Sequence, residues 1–173
     1  INLDAEYAAD IVSEALMLDG VAPTVIETVL SSNSETTALV VNEVLNLESV
    51  NENYNAALIN DIANINPDVA LEFCDTVSTT SPSIAGKIAG NLALINPDLS
   101  ADISISMIAA NPESSALIAA EVIDILPVAS SADMIQQIQL NDPNAAMQFA
   151  NTAAENSPEV AGRMIGEIIN ENN

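Results

Sequence analysis

The sequence predicts an all-α protein, a solenoid-like array of about 11 short antiparallel helices built on a 15-residue single-helix repeat. The first sign is a row of prolines at Pro67, Pro82, Pro97, Pro112 and Pro127, separated by four intervals of 15 residues. The second is what flanks them. Asn66, Ser81, Asn96 and Asn111 precede four of the five, and Asp68, Asp98 and Glu113 follow three. A cap residue whose side chain accepts an orphan N–H, a Pro with no N–H to lose and an acid at the positive dipole end together mark a helix start. The third is the phase of the apolar residues behind each proline. Val69, Ala70, Phe73, Cys74 and Val77 form one stripe; Ile84, Ala85, Ile88, Ala89 and Leu92 repeat it, as do Leu99, Ser100, Ile103, Ser104 and Met107. Such spacing marks one face of an α-helix.

The elements follow in order. Near residues 4–18, Ala8, Ile11, Val12, Ala15 and Leu16 share a face that ends at Asp19-Gly20, where Gly suits a helix C-terminus. Pro23 restarts a helix carrying Val25, Ile26, Val29 and Leu30, and Ser31 to Ser34 read as a polar turn. A third segment, with Ser34 as its cap, holds Ala38, Leu39, Val41, Val44 and Leu45. The fourth begins near Asn53 with Ala57, Leu58 and Ile62. The regular units then run from Asn66; after one extra residue the pattern returns as Asp142-Pro143 and Ser157-Pro158-Glu159. Each regular helix is expected to span about 11 to 12 residues, roughly 17 Å, with about three residues of connection. The helix after Pro82 is apolar nearly all round, as suits an interior position, and the one after Pro158 has a narrower stripe, as suits an end.

No composition break divides the chain, so residues 1–173 read as one helical-repeat domain, degenerate over 1–65 and regular over 66–170. A pair of helices would occupy about 30 residues, near known helix-pair repeats, but none of their side-chain signatures is present. With 49% apolar residues, 2% aromatic and no Trp, the core must come from Ala, Ile, Leu, Val and Met. Helices this short depend on neighbours for burial, which is the logic of stacked repeats.

Charge narrows the function. Twenty-five acids stand against two bases, with no His, for a net charge of −23. A basic footprint for nucleic acid cannot be assembled, and an anionic membrane surface would repel the chain. No apolar run is long enough to span a bilayer. The absence of His removes Ser-His-Asp and Cys-His catalysis and imidazole metal sites. Carboxylates remain, but they read as helix starts (Asp68, Asp98, Glu113, Glu159) and solvated faces (Glu72, Asp75, Glu121, Asp124). No enzyme activity and no cofactor are expected. The oxygen-rich stretches at Asn141-Asp142-Pro143-Asn144 and Asn51-Glu52-Asn53 lack the alternation of a Ca²⁺ loop, leaving loose neutralisation by divalent cations such as Ca²⁺. Cys74 sits on the apolar stripe and reads as a small buried hydrophobe.

Two units resemble each other beyond the common pattern. Ser81-Pro82-Ser83-Ile84-Ala85-Gly86-Lys87-Ile88-Ala89-Gly90 matches Ser157-Pro158-Glu159-Val160-Ala161-Gly162-Arg163-Met164-Ile165-Gly166. A mid-helix Gly costs about 1 kcal/mol relative to Ala, which close approach of another helix would offset. The two bases, Lys87 and Arg163, occupy equivalent places. One reading gives each an ordinary surface ion pair. The other makes Gly86, Lys87, Gly90, Gly162, Arg163 and Gly166 candidate subunit contacts.

Scarce Lys, abundant Asn, Ser and Thr, and a first residue Ile1 in place of Met fit a processed or partial extracellular or surface chain. The functional expectation is a non-catalytic structural subunit of an extracellular filament, sheath or surface layer, forming a homo-oligomer or polymer through helix faces and repeat ends. The alternative is a helical-repeat scaffold for a peptide or protein partner.

Overall fold

A computed structural model describes residues 5–18, 20–32, 36–46 and 52–171. Among these are eleven α-helices and no strand, so the all-α array predicted from the sequence is the fold. The helices are α1 (Ala5–Leu16), α2 (Ala22–Ser32), α3 (Thr37–Asn46), α4 (Glu52–Ile65), α5 (Pro67–Thr80), α6 (Pro82–Ile95), α7 (Pro97–Ala110), α8 (Ser115–Val122), α9 (Val128–Asn141), α10 (Pro143–Asn156) and α11 (Pro158–Glu171). A 3-10 turn, Pro112–Ser114, leads into α8.

From α4 to α7 the helices are longer and the connections shorter than expected, whereas α8 is shorter, with longer connections on either side. Helices α5, α6 and α7 each have 14 residues, and a single residue joins α4 to α5, α5 to α6 and α6 to α7. Proline explains both departures. Its ring pushes the preceding residue out of the helical region. The junction residues are accordingly extended: φ/ψ is −150/100 at Asn66, −146/69 at Ser81, −147/88 at Asn96 and −143/98 at Asp142. Each junction residue serves two helices. The Asn96 N–H donates to the Leu92 carbonyl at 2.7 Å, closing α6, while its carbonyl accepts from the Ser100 N–H at 3.0 Å, opening α7. One extended residue therefore suffices, and the helix can run right up to it.

Side-chain capping is only partly as expected. Asn96 accepts from the Leu99 N–H, Asn111 from Glu113, and Asp142 from both Asn144 and Ala145. Asn66 and Ser81 make no such bond, and Pro127 takes the cap position itself, one residue earlier in the helix than predicted. The Asn66 amide instead donates to Glu27 Oε1 at 3.1 Å, that of Asn96 to Asn60 Oδ1 at 3.2 Å, and that of Asn111 to the Ser78 carbonyl at 2.7 Å. The Ser157 hydroxyl likewise reaches Asp124. Asn suits these junctions because its amide can cap its own helix with the oxygen and tie to another with the nitrogen, as Asn96 and Asn111 do.

These ties also give the topology. Asn66, just past α4, meets the last turns of α2; Asn111, just past α7, meets the last turn of α5. Helices two apart therefore point the same way, and consecutive helices run antiparallel. Helix packing sorts them into two layers: α1, α3, α5, α7, α9 and α11 in one, and α2, α4, α6, α8 and α10 in the other. The core between the layers is one continuous cluster from Ala8 to Met164. It contains the predicted stripe residues Val69, Ala70, Phe73, Cys74 and Val77, then Ala85, Ile88, Ala89 and Leu92. Buried Ser hydroxyls stitch the core: Ser100 donates to the Ala89 carbonyl at 2.8 Å and Ser115 to that of Ala145 at 2.6 Å.

The first helices depart more from expectation. Helix α1 ends at Leu16, before the Gly20 expected to close it; Gly20, with φ +74, sits in the turn that leads into α2. Ala8, Val12 and Ala15 are buried as predicted, but Ile11 is exposed. Ser31 and Ser32 belong to α2 and not to a turn. Leu39 is exposed while Val40, its neighbour, is buried. Asp19, Ser34 and Asn51, assigned to a turn, a cap and an oxygen-rich stretch, lie outside the described residues. In α6, Leu94 and Ile95 are exposed, so the interior helix is not covered on every side.

Candidate functional site

Three surfaces stand apart from the ordinary flanks of the array: a furrow on the odd-numbered layer and the two ends. The furrow forms because α5, α7 and α9 lie side by side in one layer. Between α7 and α9 it encloses about 710 Å³, with Leu71, Ala101, Ile105 and Met134 as an apolar floor and Asp98, Asp102 and Asp133 along its sides. A second hollow of about 470 Å³ continues it between α5 and α7, sharing Leu71 and Ser106 and adding Asp68, Glu72 and Asp75. Asp98 and Asp102 are four residues apart on one helix, so they share a face.

Two of these acids are more enclosed than a solvated helix face allows. Glu72 is half-buried and its Oε1 accepts from the Thr37 hydroxyl at 2.6 Å. Asp75 is half-buried; its Oδ2 accepts from the Ser106 hydroxyl at 3.0 Å, and its Oδ1 is buried without a partner among the described residues. Burial pushes the Asp75 carboxyl above its usual range, the Ser106 hydroxyl pulls it back, and the neighbouring Glu72 charge pushes it up again. The sequence reading of these two as solvated acids is corrected here: only the adjacency of α3, α5 and α7 puts a lid on them.

At the amino-terminal end a furrow of about 370 Å³ runs between α1 and α2, lined by Asp10, Ile11, Glu14, Ala15, Leu18, Val21 and Val25. No residue of α3 or α4 lines it, so it faces outward along the stack. Leu18 is 57% exposed and Ile11 42%. At the other end, α11 packs against α9 and α10 and leaves Ile165 and Ile169 more than half exposed.

The predicted contact residues divide between two environments. Gly86 and Gly90 are buried, and what they meet is α8 of the same chain. A Cβ at residue 86 would lie 2.9 Å from the Leu117 carbonyl oxygen, and one at 90 would lie 3.0 Å from Glu121 Cβ. They are intrachain packing positions and not subunit contacts. Lys87, between them, is exposed on the even-numbered layer. Gly162 and Gly166 have nothing within 4 Å of the position a Cβ would take, and Arg163 is exposed. The two triplets sit on different layers and do not form one site.

Other predicted features resolve simply. Asp142, in one oxygen-rich stretch, is occupied in capping α10. Among the described residues no group of three or more carboxylates, thiols or imidazoles is placed to hold a metal ion. Cys74 is fully buried, and burial, with the Asp75 charge beside it, pushes its thiol far above the ordinary range. That leaves it a small apolar side chain with little thiolate character. No described helix is long and apolar enough to cross a membrane. No family model, no curated protein and no solved structure matches this chain.

Proposed function

We propose that this protein is a non-catalytic structural subunit of an extracellular filament, sheath or surface layer, assembling through the ends of its helical array. The observation that supports the reading is that the α1–α2 furrow and the outer face of α11 each expose large apolar side chains. Exposed large apolar side chains gathered on one face mark association surfaces. Here Ile11, Leu18 and Val21 at one end and Ile165 and Ile169 at the other are each more than 40% exposed. Different faces at the two ends make head-to-tail contacts, which close into rings or extend into filaments. The composition supports an extracellular setting, and divalent cations such as Ca²⁺ would act by general neutralisation of the acidic flanks. Electron microscopy and light scattering of the purified chain in salt, with and without Ca²⁺, test the reading. Regular polymers or rings are the expected outcome; a monomer under every condition overturns it.

The acidic furrow favours a second reading, a scaffold for a basic peptide or protein segment. Its carboxylates flank an apolar floor, and no Lys or Arg lines either hollow. Fluorescence anisotropy with a Lys-rich amphipathic peptide at low salt tests it. Binding that falls on Asp102→Asn with Asp133→Asn supports this reading, and equal affinity for an acidic control peptide removes it.

A further inference from the structure

Residue by residue, α11 repeats the face by which α6 receives α8, but no helix lies against its glycines among the described residues. Gly86, Ala89, Gly90 and Ala93 of α6 correspond at a constant offset to Gly162, Ile165, Gly166 and Ile169 of α11. In α6 all four are buried, with Ala89 at 0% and Ala93 at 2% exposure. In α11 Ile165 is 58% and Ile169 55% exposed, and the space above both glycines is open. Larger apolar side chains stand where α6 has alanines, so this face presents more grease than its buried counterpart. Exposed large apolar patches of this kind mark association surfaces.

Charge selects what covers it. Arg163 lies on the rim of this face, and no ion pair joins it to a described residue. Glu159 and Glu167 flank it at four-residue spacing, also exposed. If two copies met by α11 alone in a two-fold antiparallel pair, Arg163 would oppose Arg163 and Glu159 would oppose Glu167. Like charges in such positions oppose association. Two amino-terminal furrows facing each other would oppose acids to acids in the same way. The unlike pairing of the two ends is the combination that brings a base to acids, because the α1–α2 furrow carries Asp10 and Glu14 beside Ile11, Leu18 and Val21.

We propose that α11 of one copy lies along the α1–α2 furrow of a second copy, with Ile165 and Ile169 over the apolar lining and Arg163 paired with Asp10 and Glu14. The inference rests on the end-to-end reading above and specifies its interface. Both α11 and α1 belong to the odd-numbered layer, so the contact prolongs that layer from one copy into the next. A net charge of −23 on each copy opposes the approach at low ionic strength. Screening over a Debye length of about 8 Å at about 0.15 M salt relieves it, while contact pairs are screened less.

Sedimentation velocity of the full chain at about 0.15 M NaCl, with folding checked by circular dichroism, tests the interface through charge reversal. Arg163→Glu should weaken association on the order of ten-fold or more. Asp10→Arg with Glu14→Arg should also weaken it, although this change lowers the net negative charge and would strengthen association if only overall repulsion mattered. Combining all three reversals should restore association to within about three-fold of the original. If the unmodified chain assembles but the charge reversals leave it unaffected, or the combination fails to restore it, this interface is wrong and the end-to-end reading stands on some other contact. If the unmodified chain remains monomeric throughout, both are overturned.

Discussion

Helices α6 and α11 share a ten-residue pattern and have opposite surroundings. In α6 the glycines let α8 approach until a Cβ at residue 86 would strike the Leu117 backbone. In α11 the same glycines face open space. A helical Gly has no intrinsic merit, since it costs about 1 kcal/mol relative to Ala. In α6 that cost is offset by close contact between helices, and in α11 no such contact among the described residues offsets it. The pair shows that a packing motif is completed by its neighbour: the same glycine spacing is core in one place and surface in the other.

The largest expected effect breaks the comparison at its tightest point. Gly86→Val should destabilise the fold by about 3 kcal/mol, because the added atoms meet backbone that cannot swing aside. The same change at Gly162 should leave the monomer's urea midpoint nearly unchanged. Equal losses at the two sites would show that the open space at α11 is not real in solution. Ser100→Ala comes next. It removes the hydroxyl that ties α7 to the Ala89 carbonyl of α6 at 2.8 Å, and the loss should be about 1 kcal/mol in the same measurement. Position 89 corresponds to Ile165 in α11, which has no such tie, so this loss measures part of what separates the two settings.

Gly162→Ala should have the opposite sign, a gain slightly under about 1 kcal/mol in the unassembled chain, from helix propensity alone. A loss there would mean that the glycine already meets a partner. The smallest effect lies between α5 and α7. Burial raises the Asp75 carboxyl above its ordinary value, so the folded state binds this proton more tightly than the unfolded state. Its contribution is fully favourable at pH below the ordinary carboxylate range, falls as pH rises through the raised value and stays low beyond it. Asp75→Asn keeps an acceptor for Ser106 and removes the charge. The variant should match the parent in acid and exceed it at neutral pH by less than about 1 kcal/mol, because the group is half exposed and screened. A growing deficit of the variant with pH would reverse the assignment.

Much of the fold is legible in the prolines and the stripes behind them. Every stripe residue of α5 is buried, and Ile84 and Leu99 are the only half-buried members of the next two units. The one-residue junctions were legible too, since a residue before Pro is forced to be extended; the expectation of three-residue connections overlooked this. The candidate sites were less accessible. Asp98 stands at a helix start, as its position predicts, and it also lines a furrow whose other walls come from α5 and α9. Thr37 and Ser106 hold Glu72 and Asp75 from distant parts of the chain, at separations of 35 and 31 residues. The i, i+4 placement of Asp98 and Asp102 was the one local signal available.

By itself the sequence determined that the chain is a row of helices, where the proline-led ones begin and which stripe of those is apolar, because caps, prolines and side-chain period act within a few residues. Only the tertiary structure decided which of two like glycine pairs is covered, which acids are half-buried, and which ends remain open. Those outcomes depend on the helix that lies alongside, and a neighbour two helices away in the chain leaves no mark on the residues that await it.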